Sequence, residues 1–184
     1  MMRKTLGFVL STVAAGAVLT ACTGGAGHND ADVEFAQRMI PHHEQAIEMA
    51  ELVGARTGNA RIRDLAADIE RAQGPEIERL TTWLSEWGAS TGGGQGGHGE
   101  HDADHAGMPG MMSSGDLSGL SAASGPEFDR MWLRMMVRHH EGAIEMAREQ
   151  LDHGEHEGAR QLAQAVIDAQ QREIDTMNAL LTEG

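Results

Sequence analysis

Two adjacent histidines occur twice in the chain, and the same residues follow them each time. His42 and His43 lie in RMIPHHEQAIEMAE (residues 38–51), and His139 and His140 lie in RMMVRHHEGAIEMARE (residues 134–149). Imidazole nitrogen binds several transition metals, thioether sulfur favours soft ions such as Cu(I), and carboxylates favour harder ions. The chemistry that these stretches could carry is metal binding, and its kind depends on which side chains share a helix face.

The first histidine pair is expected on the same helix face as methionine. With a rotation of about 100° per residue, His43 falls inside the apolar stripe that contains Met39, and His42 lies at its edge beside Met49. Glu44 points to the opposite side, as does Glu48. This helix is therefore predicted to present nitrogen and sulfur, rather than carboxylate oxygen, to its buried side.

The second pair has the same arrangement. Met135, His139 and Met146 cluster on one side of the helix, and Met136 lies close by. The carboxylates of Glu141 and Glu145 are most simply solvated. A di-iron bundle would place Glu-x-x-His motifs on inward faces, and the chain contains no such motif. A zinc site with two histidines and a carboxylate stays open if the helices rotate.

A purely structural role for these residues is the main alternative. Methionine at helical spacing usually fills a core, and a single histidine on an apolar stripe is usually hydrogen-bonded. Four buried imidazoles would have up to eight ring nitrogens that need partners, each orphan costing about 1–3 kcal/mol. Duplicated pairs beside methionine therefore favour metal binding.

The chain contains an internal repeat with an offset of 97 residues. Residues 35–87 align with residues 132–184 without a gap, and the identities include both histidine pairs. The match continues to Glu76, which aligns with Glu173. We interpret it as a tandem duplication.

The hydrophobic spacing predicts an all-α fold. Apolar residues recur at three- and four-residue steps, and no stretch alternates as a strand would. Gly58-Asn59 and His153-Gly154 mark short connections, and Ser124 with Glu127 forms a capping-box motif with Pro126 in the first turn. Pro41 and Pro75 fall inside predicted helices. The four predicted helices cover residues 31–56, 60–87, 126–153 and 156–182.

Residues 89–124 are expected to form a long flexible crossover. They contain ten glycines among 36 residues, a composition typical of a flexible linker. Two helical hairpins with such a crossover form a four-helix bundle of ferritin-like type. The same linker has a His- and Met-rich tract, which is a compositional signal for metal binding. Its candidate secondary ligands are His98, His101, His105, Met108, Met111 and Met112.

The first residues resemble a bacterial lipoprotein signal. A basic start and an apolar run precede Leu-Thr-Ala-Cys, which ends at Cys22, the only cysteine. We expect residues 1–21 to be a signal peptide, Cys22 to be lipidated and residues 22–30 to form a tether. One bundle domain would follow over residues 31–184, with repeats at 31–88 and 125–184. The formal charge of −14 argues against nucleic acid as a partner, and the membrane would be contacted through the lipid anchor only.

MIPHHEQAIEMA and MMVRHHEGAIEMA resemble the signature of the domain-of-unknown-function 305 family. The resemblance implies a ferritin-like bundle exported to the cell envelope, in a family of which some members bind copper. The implied ligand candidates are Met39, His42, His43, Met49, Met136, His139, His140 and Met146; Met135 joins them from its place beside His139.

Three functions are compatible with these residues. The first is an envelope lipoprotein that binds a soft metal, most consistently copper, for capture, detoxification or transfer, with zinc and iron as alternative ions. The second is a structural or interaction bundle with core histidines. The third is a metal-dependent oxidoreductase, although the sequence shows no Ser/His/Asp set or phosphate-binding loop, so we do not expect an enzyme. The sequence identifies no protein partner for the chain.

Overall fold

Six helices form the part of the chain that the computed structural model describes, residues 27–91 and 108–183. They are α1 (Asp30–Glu51), α2 (Val53–Arg56), α3 (Ala60–Glu86), α4 (Ser114–Ala122), α5 (Gly125–His153) and α6 (Glu157–Glu183). No strand occurs in these ranges. The predicted all-α bundle is confirmed, with the first predicted helix divided at Leu52 into α1 and α2. None of the helices in these ranges is long and apolar enough to cross a membrane.

The four long helices pack as two hairpins that face each other. α1 packs on α3 and α5 packs on α6, and α1 also packs directly on α5. The Asn59 side chain caps α3 by accepting from the Arg61 amide, and Gly154 ends α5, as the sequence predicted for both connections. Trp132 of α5 is fully buried and donates its indole N–H to the Met49 carbonyl of α1 at 2.9 Å. This bond fixes the two histidine-bearing helices against each other.

The second part of the crossover is ordered, so the expected flexibility of residues 89–124 is wrong there. Ser113 and Asp116 form a reciprocal capping box at the start of α4, and both Leu120 and Met112 are buried in the core. The glycine content averaged over 36 residues concealed this short apolar segment, which gains enough burial to fold against the bundle. Residues 1–26, with the predicted signal and Cys22, and residues 92–107 lie outside the described ranges.

The capping box predicted at Ser124 is also wrong. Ser124 is the N-cap of α5, but its side chain makes no capping hydrogen bond. Gly125, the next residue, has a φ of +58°, so α5 begins with a left-handed residue that the motif did not indicate. Pro126 lies in the first turn, as predicted. Pro41 and Pro75 lie inside α1 and α3, also as predicted.

Asp32 connects the two hairpins at one end of the bundle. Its side chain is fully buried and accepts hydrogen bonds from the Asn29, Glu155 and His156 amides and from the Gln150 side chain. Burial by itself would raise the pKa of Asp32, but these hydrogen bonds outweigh it and the pKa lies below the ordinary value of 3.8. The carboxylate is therefore ionised at neutral pH.

Replacing this carboxylate should destabilise the whole bundle. Asp32→Ala removes the α1 capping box and leaves several buried donors without an acceptor, so the free energy of unfolding should fall by about 3 kcal/mol. Denaturant unfolding measures the loss. Asp30→Ala, in the same helical turn but exposed, is the matched control and should cost less than about 1 kcal/mol. Equal losses in the two variants would contradict the role assigned to Asp32.

Candidate metal centre

The four paired histidines form one buried cluster between α1 and α5. Their side chains are at most 1% exposed, and the ring centroids of His42 and His139 are 3.8 Å apart. The carboxylates on the same helices are exposed, namely those of Glu44, Glu48, Glu141 and Glu145. The predicted burial of the histidine face and exposure of these carboxylates are therefore confirmed.

Two glutamates from the other helices contact the cluster. The Nε2 atom of His43 lies 2.7 Å from Oε2 of Glu76 on α3, and Nε2 of His140 lies 2.7 Å from Oε2 of Glu173 on α6. A carboxylate accepts, so each of these imidazoles donates from Nε2, and the neutral form of each ring carries its lone pair on Nδ1. Carboxylate partners of this kind orient metal-binding histidines and make them more basic.

His42 is held in the same tautomer by a different acceptor. Its Nε2 atom donates to the backbone carbonyl of Pro109 at 3.0 Å, so its lone pair also lies on Nδ1. His139 differs, because neither of its ring nitrogens has a hydrogen-bond partner among the described residues. The unpartnered buried nitrogens are Nδ1 of His42, His43 and His140 and both nitrogens of His139.

These unpartnered nitrogens fit a metal better than they fit an ordinary core. Each buried nitrogen without a partner costs about 1–3 kcal/mol, and a polar cluster that is only partly satisfied destabilises a fold. A metal ion accepts such lone pairs. The donor set therefore fits a metal ion, whereas a purely structural cluster would leave these nitrogens without partners.

Buried methionines lie on the same two helices as the histidines. Met39 lies three and four residues before the first pair, and Met136 stands in the same relation to the second; residues at this spacing are neighbours on a helix surface. All five predicted helical methionines are buried, namely Met39, Met49, Met135, Met136 and Met146. Soft donors are therefore buried on the same helices as the histidines.

The predicted linker ligands are only partly within the described ranges. His98, His101 and His105 lie outside them. Met108 and Met111 are half-buried, whereas Met112 is buried and its sulfur accepts from the Arg138 guanidinium at 3.3 Å. Because the guanidinium already contacts that sulfur, we assign Met112 to the packing of the core rather than to the metal site.

The donors are clustered but not already assembled into a set of nitrogen and oxygen ligands. Within residues 27–91 and 108–183, no three His, Cys, Asp or Glu side chains are arranged to hold a metal ion. A complete coordination sphere in this part of the chain therefore requires thioether sulfur, rotation of imidazole rings, or both.

Burial keeps two of the histidines neutral. Desolvation, followed by the nearby His43, lowers the pKa of His42 to about 3, against the weaker opposing effect of the Pro109 carbonyl. Desolvation, followed by the nearby His42, holds the pKa of His139 well below its ordinary range. Neutral imidazole is the form that binds metals, so these rings do not need to lose a proton at neutral pH.

The same shifts predict acid sensitivity of the metal-free protein. Between the ordinary pKa of 6.5 and the folded value of about 3 for His42, the unfolded chain binds a proton that the folded chain does not. The free energy of unfolding should therefore be highest above pH 6.5 and fall by several kcal/mol as the pH drops toward 3.

Denaturant unfolding at pH 7 and at pH 4.5 measures this loss, and both values lie above the range in which Asp32 titrates. A variant with Gln at both His42 and His139 should lose less free energy of unfolding between the two pH values than wild type does. An equal loss in the variant would contradict the assignment to these histidines.

Comparison with known proteins assigns a family. The sequence pattern of the family described as domain of unknown function (DUF305) matches residues 32–181. A DUF305 protein from Streptomyces coelicolor, described as a candidate secreted protein, superimposes with a TM-score of 0.73 and 30% identity, over 83% of this chain and 93% of that chain. A viral relative, the uncharacterized protein L153 of Acanthamoeba polyphaga mimivirus, is 40% identical over 55 residues. That match spans 30% of this chain and 36% of the viral protein.

Copper-bound structures occur among the similar proteins. CopM in its Cu(II)-bound form superimposes with a TM-score of 0.69 and 31% identity, over 83% of this chain and 96% of that chain. CopM has also been solved with Cu(I), with a TM-score of 0.66 and 27% identity over the same shares, and with silver. The chain therefore resembles a protein that holds soft metal ions in the same fold.

Proposed function

This chain belongs to the DUF305 family, and we propose that it binds copper, as Cu(I), at the buried cluster of His42, His43, His139 and His140. The observation that carries the proposal is the set of unpartnered Nδ1 atoms, three of them on rings whose opposite nitrogen is occupied by a fixed acceptor. Lone pairs held in this way are available to a metal ion.

The donor types favour Cu(I) over harder ions. Thioether sulfur selects soft ions, and the buried methionines on α1 and α5 provide it. Zinc takes four ligands, most often from cysteine, histidine and carboxylate, whereas the further buried donors on these two helices are thioethers. Copper and silver binding by CopM supports the same choice.

A binding role agrees better with this site than a redox enzyme does. Among the described residues, the hydrogen-bond partners of the histidines are two glutamate side chains and a backbone carbonyl, and none of these groups is redox-active. In the proposed role copper is cargo, which the protein captures, keeps from harmful reactions or passes on.

A Cu(I) titration tests the proposal. Protein purified without an affinity tag is mixed, without oxygen, with Cu(I) and a chromophoric chelator, and bound copper is counted by mass spectrometry. At least one ion should stay with the protein against a chelator excess. If copper, zinc and iron all remain with the chelator, the structural alternative replaces this proposal.

The location of the protein is a second part of the proposal. We infer that Cys22 carries a lipid that anchors the protein outside the cytoplasm, in agreement with the description of the Streptomyces coelicolor relative. Cys22→Ala should move the protein from the membrane fraction to the soluble fraction, because buried acyl chains contribute about 0.8 kcal/mol per CH₂. A membrane-bound variant together with a wild type that carries no lipid by mass would overturn the inference.

A further inference from the structure

A short segment of the linker lies directly over the histidine cluster. We call residues 108–112 the strap. The Pro109 carbonyl of the strap is the acceptor that holds His42 through Nε2, and Met112, at its other end, is buried in the core. The position of the strap therefore decides which nitrogen of His42 is available to a metal.

One position in each repeat docks the strap. Gln45 and Gly142 correspond under the offset of 97 but differ in type. The Gln45 amide accepts from the Met112 backbone N–H at 2.7 Å and donates to the Met112 carbonyl at 2.9 Å. These two hydrogen bonds occupy both backbone polar groups of Met112, and they fix one end of the strap to α1.

Gly142 makes room for the other end. A Cβ atom added there would lie 2.1 Å from the Pro109 carbonyl oxygen and 2.7 Å from the Gly110 backbone nitrogen, far closer than any side chain allows. Gly110 has a φ of +77° and lies against the carbonyls of Arg138 and His139. The backbone of the strap therefore lies directly on the backbone of α5.

We propose that Gln45 and Gly142 are positioning residues of the metal centre, and the proposal rests on the copper-binding function above. Through the strap they place the Pro109 carbonyl on Nε2 of His42, which leaves the lone pair of the ring on Nδ1 and covers the ring from water. The glutamates do the same for His43 and His140. The acceptor for His42 is a backbone carbonyl of the strap rather than a glutamate side chain. A single substitution that displaces the strap should therefore move this acceptor.

Gly142→Ala separates the strap from the helix. Alanine is the better helix former by about 1 kcal/mol, so α5 should keep its structure, whereas the new methyl group must displace Pro109. Gly74→Ala is the matched control, because Gly74 also lies inside a long helix and a Cβ atom there meets nothing within 4 Å. Gln45→Leu, which removes both bonds to Met112 at similar volume, tests the same strap from α1.

Two readouts follow these variants. The first is the ¹⁵N NMR tautomer of His42 in the metal-free protein, which should be Nε2–H in wild type and Gly74→Ala, and mixed or reversed in Gly142→Ala and Gln45→Leu. The second is the rate of Cu(I) transfer to a chelator, which should rise by on the order of 10-fold or more in these two variants, as for loss of an outer hydrogen-bond partner of a ligand.

Each outcome decides the proposal. A changed tautomer with unchanged copper transfer would overturn it, and so would an unchanged tautomer in both strap variants. A wild type that binds no copper, while the His42 tautomer still changes in Gly142→Ala, would instead overturn the proposed function and leave the positioning of His42 by the strap standing.

Discussion

Replacing His42 and His139 together with Gln should lower the Cu(I) affinity by more than about 100-fold. The centroids of the two rings lie 3.8 Å apart, and the amide that replaces each ring is similar in size but is a poor donor to a soft ion. Loss of an outer partner alone costs roughly 10–100-fold, so loss of two ligands should cost more. The metal-free fold should hold within about 1–2 kcal/mol, because three unpartnered ring nitrogens disappear with the imidazoles.

Paired melting curves measure this prediction. A metal that binds only the native state stabilises it by about 2.7 kcal/mol at a hundredfold excess over Kd, so Cu(I) should raise the melting temperature of wild type and not that of the double variant. His153→Gln, at an exposed position near the end of α5, is the control and should respond like wild type. If copper, zinc and iron all leave the melting temperature of the wild type unchanged, the assignment of the paired histidines to a metal site is wrong.

Changing Glu76 and Glu173 to Gln should weaken Cu(I) binding by roughly 10–100-fold. An amide oxygen can still accept from Nε2 of His43 and His140, so both tautomers should persist. The negative charge that makes the Nδ1 lone pairs more basic is lost, however. The effect should therefore be a loss of affinity with little change in the helical structure, measured by chelator competition and circular dichroism.

The repeat offers a matched control for this pair. Glu78 and Asp175 lie two residues further along the same helices, at positions that also correspond under the offset of 97, and both are exposed. Glu78→Gln with Asp175→Asn removes the same charge and should leave the affinity within about twofold, as expected for screened surface charges. Equal losses in the two double variants would mean that total charge, rather than contact with the histidines, governs binding.

The sequence was sufficient to predict the helical bundle and the burial of the histidines. The spacing of apolar residues defines one inward face on each helix, and the pairs at 42–43 and 139–140 fall on that face. Because the prediction needs only the geometry of a single helix, it is independent of how the helices are arranged around it. The same holds for the exposure of Glu44 and Glu48.

The partners of the histidines required the packing of different helices. Glu76 and Glu173 reach His43 and His140 because α3 packs on α1 and α6 packs on α5 in one particular register, and a helical wheel contains no such register. Their identity under the offset of 97 was the available signal, since a carboxylate repeated together with the histidines is a candidate partner.

The strap was missed for a different reason. Averaging composition over residues 89–124 gives the appearance of a uniform linker, yet Ser113 with Asp116 is a capping-box pattern just before the apolar residues Leu117 and Leu120. That local pattern could have located α4. The docking of Pro109 on His42 could not be found in this way, because it depends on a close backbone approach at Gly142.

X-ray absorption spectroscopy of the Cu(I)-loaded protein tests the central claim most directly, since it identifies the atoms bound to the metal. The wild-type spectrum should contain both imidazole nitrogen and thioether sulfur in the first coordination sphere. The His42→Gln/His139→Gln variant, loaded at high copper, should lose the part of the imidazole contribution that these two rings supply, while His43 and His140 keep theirs. A wild-type spectrum with oxygen and nitrogen alone, or one that is identical in the variant, would place the copper elsewhere and contradict a buried His/Met centre.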